Sequence, residues 1–137
     1  MNAEEIMTED VTTLEETATI GEALQIMEEK DIRHIPVVRG GEVVGMLSDR
    51  DLRSLGLSLV TDLQGIEKLQ ARFASRVSEL MTSNVIRVDP ETDVRELVDV
   101  MIEEKISAVP VVDEDSGDLV GIVSHVDVMR ALRDMLS

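Results

Sequence analysis

The chain has 137 residues and a net charge of −16, from 13 basic and 29 acidic side chains, and Phe73 is its one aromatic residue. Phosphate backbones and anionic lipid repel so acidic a chain, and bases find no aromatic surface on which to stack, so we expect neither nucleic acid nor membrane as a partner. The absence of cysteine excludes disulfides and thiolate metal sites, and we see no signal peptide or membrane-spanning run. We expect a cytoplasmic protein with a core of Val, Ile, Leu and Met.

The chain opens with a predicted strand and a predicted helix. Val11–Leu14 is a short strand candidate. Thr17–Lys30 is predicted to be a helix because its apolar side chains recur at helical spacing, while acidic side chains take the other face. Thr17 or Thr19 would cap this helix, since a threonine oxygen accepts a hydrogen bond from a backbone N–H of the first turn.

A hairpin and a second helix follow. Ile32–Val38 is predicted to be a strand, and its proline, Pro36, suits an edge strand or the start of a strand. Gly40-Gly41 forms the turn to a strand over Val43–Leu47, which leads to Ser48 at the start of a helix. The predicted order of the first half is strand, helix, strand, strand, helix.

The second half repeats this pattern. Met7-Thr8 recurs as Met81-Thr82, and Pro36–Val38 recurs as Pro110–Val112, both at a shift of 74 residues. The shift grows to 76 after the hairpin, because the second turn is two residues longer. A single gap confined to a turn is typical of a duplication, and a repeat too small to bury its own apolar faces packs against its copy.

The expected fold class is therefore α+β, a mixed α/β arrangement of two βαββα repeats packed with pseudo-two-fold symmetry. The repeats are predicted to span 1–56 and 77–137, joined by a helical linker over 57–76. One face of the linker helix is predicted to comprise Leu63, Ile66, Leu69, Gln70 and Phe73.

The last predicted helix, Asp127–Leu136, carries an apolar stripe. Two partners suit such a stripe: the equivalent helix around Leu52 and Leu55, or a second subunit. The sequence does not choose between them. The members of the stripe are Val128, Ala131, Leu132 and Met135.

One stretch occurs in both repeats where a strand runs into a helix. Gly45–Leu52 and Gly121–Val128 share a glycine, two apolar residues, a serine and an aspartate three residues further on. In one interpretation the serine and aspartate form a capping box, in which they satisfy backbone N–H groups of the first helical turn. In the other, the helix N-terminus binds a phosphate and the carboxylate accepts hydrogen bonds from sugar hydroxyls. For one copy alone, capping is the simpler account.

These residues resemble a tandem pair of CBS domains, also called a Bateman module. The resemblance rests on Met7-Thr8, Ile32–Val38, Gly45–Leu52 and their copies in the second half, and it covers the chain from about Glu5 to Leu136. It implies a regulatory module that binds adenosine-containing ligands, namely AMP, ADP, ATP or in some members S-adenosylmethionine, in clefts between the repeats. We expect the stand-alone kind found in bacteria and archaea, and a homodimer formed through the helices, as is common in the family.

The resemblance also implies which residues line each cleft. In the family, one repeat supplies the segment before its proline, and the other supplies the serine and the aspartate. The aspartate would accept hydrogen bonds from two ribose hydroxyls, the serine and helix N–H groups would meet the α-phosphate, and aliphatic side chains would enclose the adenine. The first cleft would combine Thr12, Ile32, Arg33, His34 and Pro36 with Ile122, Ser124 and Asp127. The second would combine Ile86, Ile106, Ser107, Ala108 and Pro110 with Met46, Ser48, Arg50 and Asp51.

The two clefts are not expected to be equal. The first has Arg33 and His34 where a phosphate would lie, whereas the second has Ser107 and Ala108 there and depends on Arg50 for positive charge. In so acidic a chain, binding of a polyphosphate requires local cations. We therefore predict that the cleft with Arg33 prefers the more highly phosphorylated nucleotides.

Two of these residues have simpler interpretations. His34 equally suits a surface position in a strand, and with His125 in the other repeat the chain has too few histidines for a convincing metal site. Arg50 equally suits an ion pair with Asp49 or Asp51 in its own helical turn, which would contribute little stability.

Three function classes follow from these residues. The first is an adenine-nucleotide sensor that signals to a protein effector, and the second is a protein-interaction or oligomerisation module with vestigial clefts. The third is a divalent-cation (Mg) sensor, for which Glu28-Glu29 and Asp113–Asp115 are the acidic runs, although both equally suit solvated surfaces. We expect no enzyme and no cofactor, since no nucleophile with a base, no paired carboxylates in a cleft and no P-loop stand out.

Overall fold

The structure is a computed structural model that describes residues 1–54 and 63–136, except for the side chains of 63–66. It has the predicted mixed α/β class. A short 3₁₀ turn, Val77–Glu79, lies between the fourth and fifth helices. The helices and strands in chain order are α1 (Ala3–Ile6), β1 (Leu14–Glu15), α2 (Ile20–Lys30), β2 (His34–Arg39), β3 (Glu42–Ser48), α3 (Asp49–Arg53), α4 (Leu63–Phe73), α5 (Val94–Glu104), β4 (Ala108–Val112), β5 (Leu119–Ser124) and α6 (His125–Leu136).

The described residues form two compact units. The first-repeat unit is the described part of Thr12–Asn84, and the second-repeat unit is Met1–Val11 with the described part of Val85–Ser137. The N-terminal segment of the chain is therefore packed with the second repeat, and the segment 77–84 is packed with the first. Sequence repeats and compact units do not coincide. The predicted repeat boundaries stay a prediction, and residue 56, where the first repeat was predicted to end, lies outside the described residues.

The first-repeat unit contains a three-stranded sheet in the order β1-β2-β3. β1 runs parallel to β2, and β3 runs antiparallel to it. Gly40 and Gly41 form the predicted turn with φ of 57° and 90°, values that favour glycine. The core between the sheet and the helices consists of Leu14, Ile20, Ala23, Met27, Ile35, Val37, Leu47, Leu52 and Val77.

The second-repeat unit contains the antiparallel pair β4-β5. Where the first repeat has β1, this repeat has a single parallel bridge between Val88 and Val111. The N-terminal helix α1 lies against β5 and α6. The core consists of Ala3, Leu97, Met101, Val109, Val111 and Val123, so both cores are aliphatic, as predicted.

Two helices begin at other residues than predicted. α2 begins at Ile20 rather than Thr17, and α6 begins at His125 rather than Asp127. In both cases the residue just before the helix, Thr19 or Ser124, accepts a hydrogen bond from the backbone N–H of the third helical residue. The helix starts directly after such a cap.

Two strands also differ from their predicted bounds. β1 lies at Leu14–Glu15 rather than Val11–Leu14, and β2 begins at His34 rather than Ile32. The partner strand sets these limits, because pairing starts at Leu14 with Val37 on one side of β2 and at His34 on the other. Propensity alone does not locate the first paired residue.

Pro36 is the third residue of β2 and not the start of a strand. It pairs with Met46 of β3 and is fully buried. On its other side, β1 pairs only with Val37 and Val38, so Pro36 lies beyond the end of β1. A residue without an N–H loses no ladder bond at such a position, which explains how a proline is accommodated in the central strand.

The linker contains the predicted helix, α4. The Phe73 carbonyl oxygen lies 3.4 Å from where a Cβ on Gly21 of α2 would be, so α2 and α4 approach closely. Leu69 is half-buried and Gln70 is exposed. The side chains of Leu63 and Ile66, like Leu55, lie outside the described part of the chain. None of the described helices is both long enough and apolar enough to cross a membrane.

Candidate functional site

The first junction between strand and helix lies where β3 ends at Ser48 and α3 begins. Ser48 Oγ accepts a hydrogen bond from Asp51 N at 3.1 Å, and Asp51 Oδ2 accepts one from Ser48 N at 2.9 Å. Both bonds of a capping box are thus present, as predicted. Asp51 is half-buried in this arrangement.

The second junction, between β5 and α6, uses the same two residue types. Asp127 Oδ2 accepts hydrogen bonds from Ser124 N at 2.9 Å and from Ser124 Oγ at 3.1 Å, and Asp127 N donates to Ser124 Oγ at 3.3 Å. Its other oxygen, Oδ1, lies 3.5 Å from Thr8 Oγ1 and 4.0 Å from Arg130 Nη1. The Asp127 side chain is only 10% exposed.

The glycine of each junction makes room for a methionine. A Cβ on Gly45 would lie 2.2 Å from Met81 Sδ, and a Cβ on Gly121 would lie 2.3 Å from Met7 Sδ. Real Cβ atoms essentially never make contacts under 3.0 Å. The glycine is therefore required by packing of the methionine, and no phosphate needs to be invoked for it.

The threonine after each methionine pairs with the neighbouring strand. Thr82 N donates to Met46 O at 2.9 Å, and Met46 N donates to Thr82 O at 3.0 Å. Thr8 and Ile122 form the same reciprocal pair at 2.9 and 3.0 Å. The repeated Met-Thr motif is thus a segment that docks onto the strand leading to the serine.

Each hairpin also places the residue before the proline segment next to the serine. His34 pairs with Ser48 in the first-repeat unit, and Ala108 pairs with Ser124 in the second. Two residues further along, Pro36 pairs with Met46, and the second repeat shows the same pairing between its proline and Ile122. Within each unit, residues predicted for different clefts are therefore neighbours.

In each unit a backbone hydrogen bond also joins the residue just before the first strand of the hairpin to the first residue of the helix that follows the hairpin. Asp49 N donates to the carbonyl oxygen of Arg33, and His125 N donates to that of Ser107, both at 2.9 Å. Which residues of one unit would share a cleft with residues of the other stays a prediction. The remaining predicted cleft residues are half-buried and lie outside the helices and strands: Thr12, Ile32, Ile86 and Ile106.

The predicted phosphate-binding arginine of the first cleft has an acidic neighbour. Arg33 Nη1 lies 3.7 Å from Asp49 Oδ2, and the same oxygen accepts a hydrogen bond from Arg53 at 2.9 Å. Arg33 is 68% exposed, so its ion pair contributes little stability and is easily exchanged for another anion. Among the residues described, Arg50 forms no ion pair with Asp49 or Asp51, so the simpler interpretation of Arg50 is not supported.

A cavity of about 350 Å³ opens on the second-repeat unit. None of the predicted cleft residues lines it. Its carboxylates would repel the phosphates of a nucleotide, so it is not a site for one. Two of them already bind backbone: Asp113 Oδ1 accepts from Ser116 N and Asp115 N, and Asp89 Oδ1 accepts from Glu91 N. The acidic lining comprises Glu4, Asp89, Glu91, Asp113, Glu114 and Asp115.

The hydrogen bonds from Ser116 N and then Asp115 N hold the pKa of Asp113 below its ordinary value. These bonds favour the ionised carboxylate, because the donors stabilise its charge. The run Asp113–Asp115 therefore has a structural role in its own loop. Among the described residues, no group of three or more His, Asp or Glu is arranged to hold a metal ion.

Sequence reasoning missed three residues beside the junctions. Thr8 and Arg130 lie near Asp127, and Asp49 lies near Arg33. The i,i+3 spacing of Asp127 and Arg130 was a signal that could have identified the second of these contacts. Thr8 is 119 residues away from Asp127 in sequence, and only the tertiary structure brings it there.

Two solved structures are similar to this chain over nearly its full length. The CBS domain pair of protein MJ0100, in complex with 5′-methylthioadenosine and S-adenosyl-L-methionine, is 29% identical with a TM-score of 0.79 and covers 98% of both chains. CBSX2 of Arabidopsis thaliana, in complex with AMP, is 26% identical with a TM-score of 0.81 and covers 99% of this chain and 98% of its own.

A curated relative is much longer than this chain. Homoserine O-acetyltransferase of Methanohalobium evestigatum is 30% identical over 131 residues, which are 95% of this chain and 24% of that protein. The chain thus spans about a quarter of the length of that relative, and the similarity does not transfer its activity.

The family comparison agrees with the internal duplication. The model of the CBS domain matches the chain twice, over residues 3–58 and 77–134. Both matches include a docking methionine, a hairpin with its proline, and a strand-to-helix junction with serine and aspartate. The chain belongs to the CBS-domain family, as a tandem pair of CBS domains.

Proposed function

We propose that this chain is a regulatory module that binds an adenine nucleotide in clefts to which both repeats contribute, and that it signals occupancy to a protein effector. The observation that carries the proposal is the duplicated junction, where a helix N-terminus, a serine and a half-buried aspartate adjoin the strand with the proline. The complexes of CBSX2 with AMP and of MJ0100 with S-adenosyl-L-methionine support it.

The chemistry of each junction suits the two polar parts of a nucleotide. The positive end of the helix dipole favours an anion such as the α-phosphate. The carboxylate of Asp51 or Asp127 is acceptor-only, so it suits the paired hydroxyls of a ribose. Val, Ile and Met side chains supply an apolar surface for adenine. The ligand is proposed as AMP, ADP or ATP, with S-adenosylmethionine as a second adenosine-containing candidate, and no cofactor or catalytic step is proposed.

The test is isothermal titration of AMP, ADP, ATP and S-adenosylmethionine into the unsubstituted chain, D51N and D127N. An asparagine oxygen can still accept the capping bond from the serine N–H, so the helix start is kept while the charge is removed. We expect each substitution to weaken binding at its own site by about 10- to 100-fold, because charge-assisted hydrogen bonds are lost.

The matched control for this test is D99N, because Asp99 is an exposed aspartate of α5 away from both junctions. D99N is expected to bind like the unsubstituted chain. Absence of binding for all four ligands would overturn the proposal in favour of a protein-interaction module with vestigial clefts. The magnesium alternative has no observation in its favour among the described residues.

We further propose that the chain forms a homodimer through α6. Of the predicted stripe, Val128 and Ala131 are half-buried, whereas Leu132 and Met135 are 53% and 70% exposed. Met129 and Leu136 are also exposed, at 64% and 79%. Contiguous apolar surface of this kind marks interaction sites.

The charges of α6 favour a second copy as the occupant. The helix carries two aspartates and two arginines, so it is neutral in a chain of net charge −16. Two antiparallel copies would bring the exposed apolar side chains of α6 together without repulsion between their net charges, as a self-complementary two-fold interface requires. A strongly basic partner would find no matching acidic rim on this helix.

Analytical ultracentrifugation tests the dimer. L132E and M135E are expected to convert it to a monomer, because each buries a charge in an apolar contact. The control is I102E, since Ile102 is an equally exposed apolar residue, at 68%, on α5. A monomer for the unsubstituted chain, or dissociation by I102E as well, would contradict this interface.

A further inference from the structure

The N-terminal segment Asn2–Thr8 has a fixed position in the second-repeat unit. Ala3 N donates to the Thr92 carbonyl oxygen at 2.8 Å, and the reciprocal bonds between Thr8 and Ile122 hold the other end of the segment. Met7 lies against Gly121 between them. The place of the Thr8 side chain is therefore set by the backbone bonds of Thr8 itself and by the packing of the segment before it.

At this position the Thr8 hydroxyl faces the Asp127 carboxylate. The two oxygens of Asp127 are held differently: Oδ2 accepts two bonds from Ser124 at 2.9 and 3.1 Å, whereas Oδ1 has Thr8 Oγ1 at 3.5 Å and Arg130 Nη1 at 4.0 Å. Hydrogen bonds between hydroxyl and carboxylate oxygens are normally about 2.5–3.0 Å, so the contact with Thr8 is loose. Oδ1 is oriented by its neighbours and still has lone pairs for another donor.

We infer that Thr8 is a positioning residue for Asp127, which it holds ready to accept the ribose hydroxyls of an adenine nucleotide. This inference rests on the proposed function and goes beyond it, because it assigns the N-terminal segment to the ribose site. A carboxylate that is already oriented loses less conformational freedom on binding, which improves affinity. Loss of this single long contact is expected to weaken AMP binding at that site about three- to ten-fold.

The first repeat provides an internal control. Thr82 is docked on Met46 by the same reciprocal backbone bonds as Thr8 on Ile122. The structure records a hydroxyl contact with the junction aspartate for Thr8, whereas among the described residues it records none between Thr82 and Asp51. T82V removes the same atoms as T8V from a threonine that is also exposed, so it should leave AMP affinity unchanged.

The experiment is titration of AMP and of 2′,3′-dideoxy-AMP into D51N, in which Asp127 is the intact junction, and into the same protein with T8V, T8S or T82V. We expect T8V to weaken AMP and to leave the dideoxy analogue unaffected, because that analogue has no ribose hydroxyl for Asp127. T8S keeps the hydroxyl and should restore the affinity for AMP. A purely structural role of Thr8 would lower both affinities together.

Each result decides the inference. AMP affinity unchanged by T8V, equal losses for AMP and the dideoxy analogue, or a loss in T8S or T82V as large as in T8V would overturn it while the proposed function stands. If the unsubstituted chain binds none of AMP, ADP, ATP and S-adenosylmethionine, the proposed function fails first, and the inference fails with it. Should T8V not fold, T8A in the same background replaces it, with the same expected loss of AMP affinity and the same unchanged affinity for the dideoxy analogue.

Discussion

The strand-to-helix junctions of the two repeats contain the same serine and aspartate, but the two serine hydroxyls form different hydrogen bonds. At the first junction, Ser48 Oγ accepts from Asp51 N, and the described residues show no bond from this hydroxyl to the Asp51 carboxylate. At the second, Ser124 Oγ both accepts from Asp127 N and donates to Asp127 Oδ2. The second aspartate has Thr8 as an additional neighbour.

This difference shows that two copies of one sequence motif need not form two identical sites. The capping function is kept in both copies, because it depends only on residues three apart in sequence. The Ser48 hydroxyl is free of its own carboxylate and can donate to a phosphate oxygen, whereas the Ser124 hydroxyl is engaged with Asp127. We therefore expect the Ser48 hydroxyl to donate to a phosphate oxygen more readily than the Ser124 hydroxyl does.

The largest effect is expected from filling the space over the junction glycines. G121A should destabilise the fold by about 1–3 kcal/mol, because overpacking forces neighbours aside. G45A should cost less, since its close neighbours include the mobile Met81 methyl at 3.0 Å, whereas Gly121 faces the Met7 Cβ at 3.1 Å. Urea unfolding of both variants measures this.

Rescue distinguishes packing from other causes of that loss. M7A combined with G121A should recover part of the stability, because the smaller side chain vacates the space of the added methyl group. If G45A proves as costly as G121A, or if M7A gives no recovery, packing against the two methionines is not what requires the glycines.

The next largest effect is expected on the preference for ATP over AMP. R33A is expected to weaken ATP by about ten-fold and AMP less, because an arginine contact to a terminal phosphate is lost. D49N should have the opposite effect, since it removes the carboxylate that lies 3.7 Å from Arg33. Competition titrations of ATP against AMP measure the ratio. Unaltered ADP and ATP affinities in R33A would refute the predicted preference.

A smaller effect is expected at the residue that follows α2 and at the one that follows α5, where the two repeats have the same backbone conformation and different side chains. Asp31 and Lys105 end α2 and α5 in the left-handed conformation, with φ of 52° and 56°. Such φ values disfavour most side chains and are better tolerated by Asp. K105G should therefore stabilise the fold by about 0.5–1 kcal/mol and D31G by less, as thermal unfolding would show; a larger gain for D31G would contradict this.

The smallest effect is the pH dependence that one ion pair of the first repeat adds to the stability of the fold. Glu16 and Arg39 form a bidentate ion pair at 2.6 and 2.9 Å, and the hydrogen bond from Arg39 holds the pKa of Glu16 below its ordinary value of 4.5. Its stabilisation is present above that ordinary value and is lost as the pH falls through the lowered pKa.

E16Q should thus be less stable than the unsubstituted chain at neutral pH and equal to it in strong acid. Unfolding midpoints measured across the acid range check this. In the second repeat, the residues at the equivalent positions are Pro90 and Asp113, so no equivalent pair forms. A constant difference between E16Q and the unsubstituted chain at all pH values would exclude a role for this ion pair.

Several features were predictable because they depend on neighbours in sequence. The serine caps, the Gly40-Gly41 turn and the helices with apolar faces follow from residues two to four positions apart. Strand limits were less predictable, since β1 is defined by its pairing with Val37 and Val38 rather than by its own residues. The equivalent segment around Val88 has similar residues and forms only a bridge.

The duplication, the mixed α/β class, the two capped junctions and the family are all predictable from the amino-acid sequence. Three features are visible only in the folded chain: Met1–Val11 packs with the second repeat, Met7 and Met81 occupy the space over the two glycines, and Thr8 faces Asp127. The two groups of features differ in how far apart the contacting residues are along the chain. Caps and turns are local hydrogen bonds whose partners are fixed by sequence spacing, whereas these contacts join segments far apart in the chain, which only the packed core brings together.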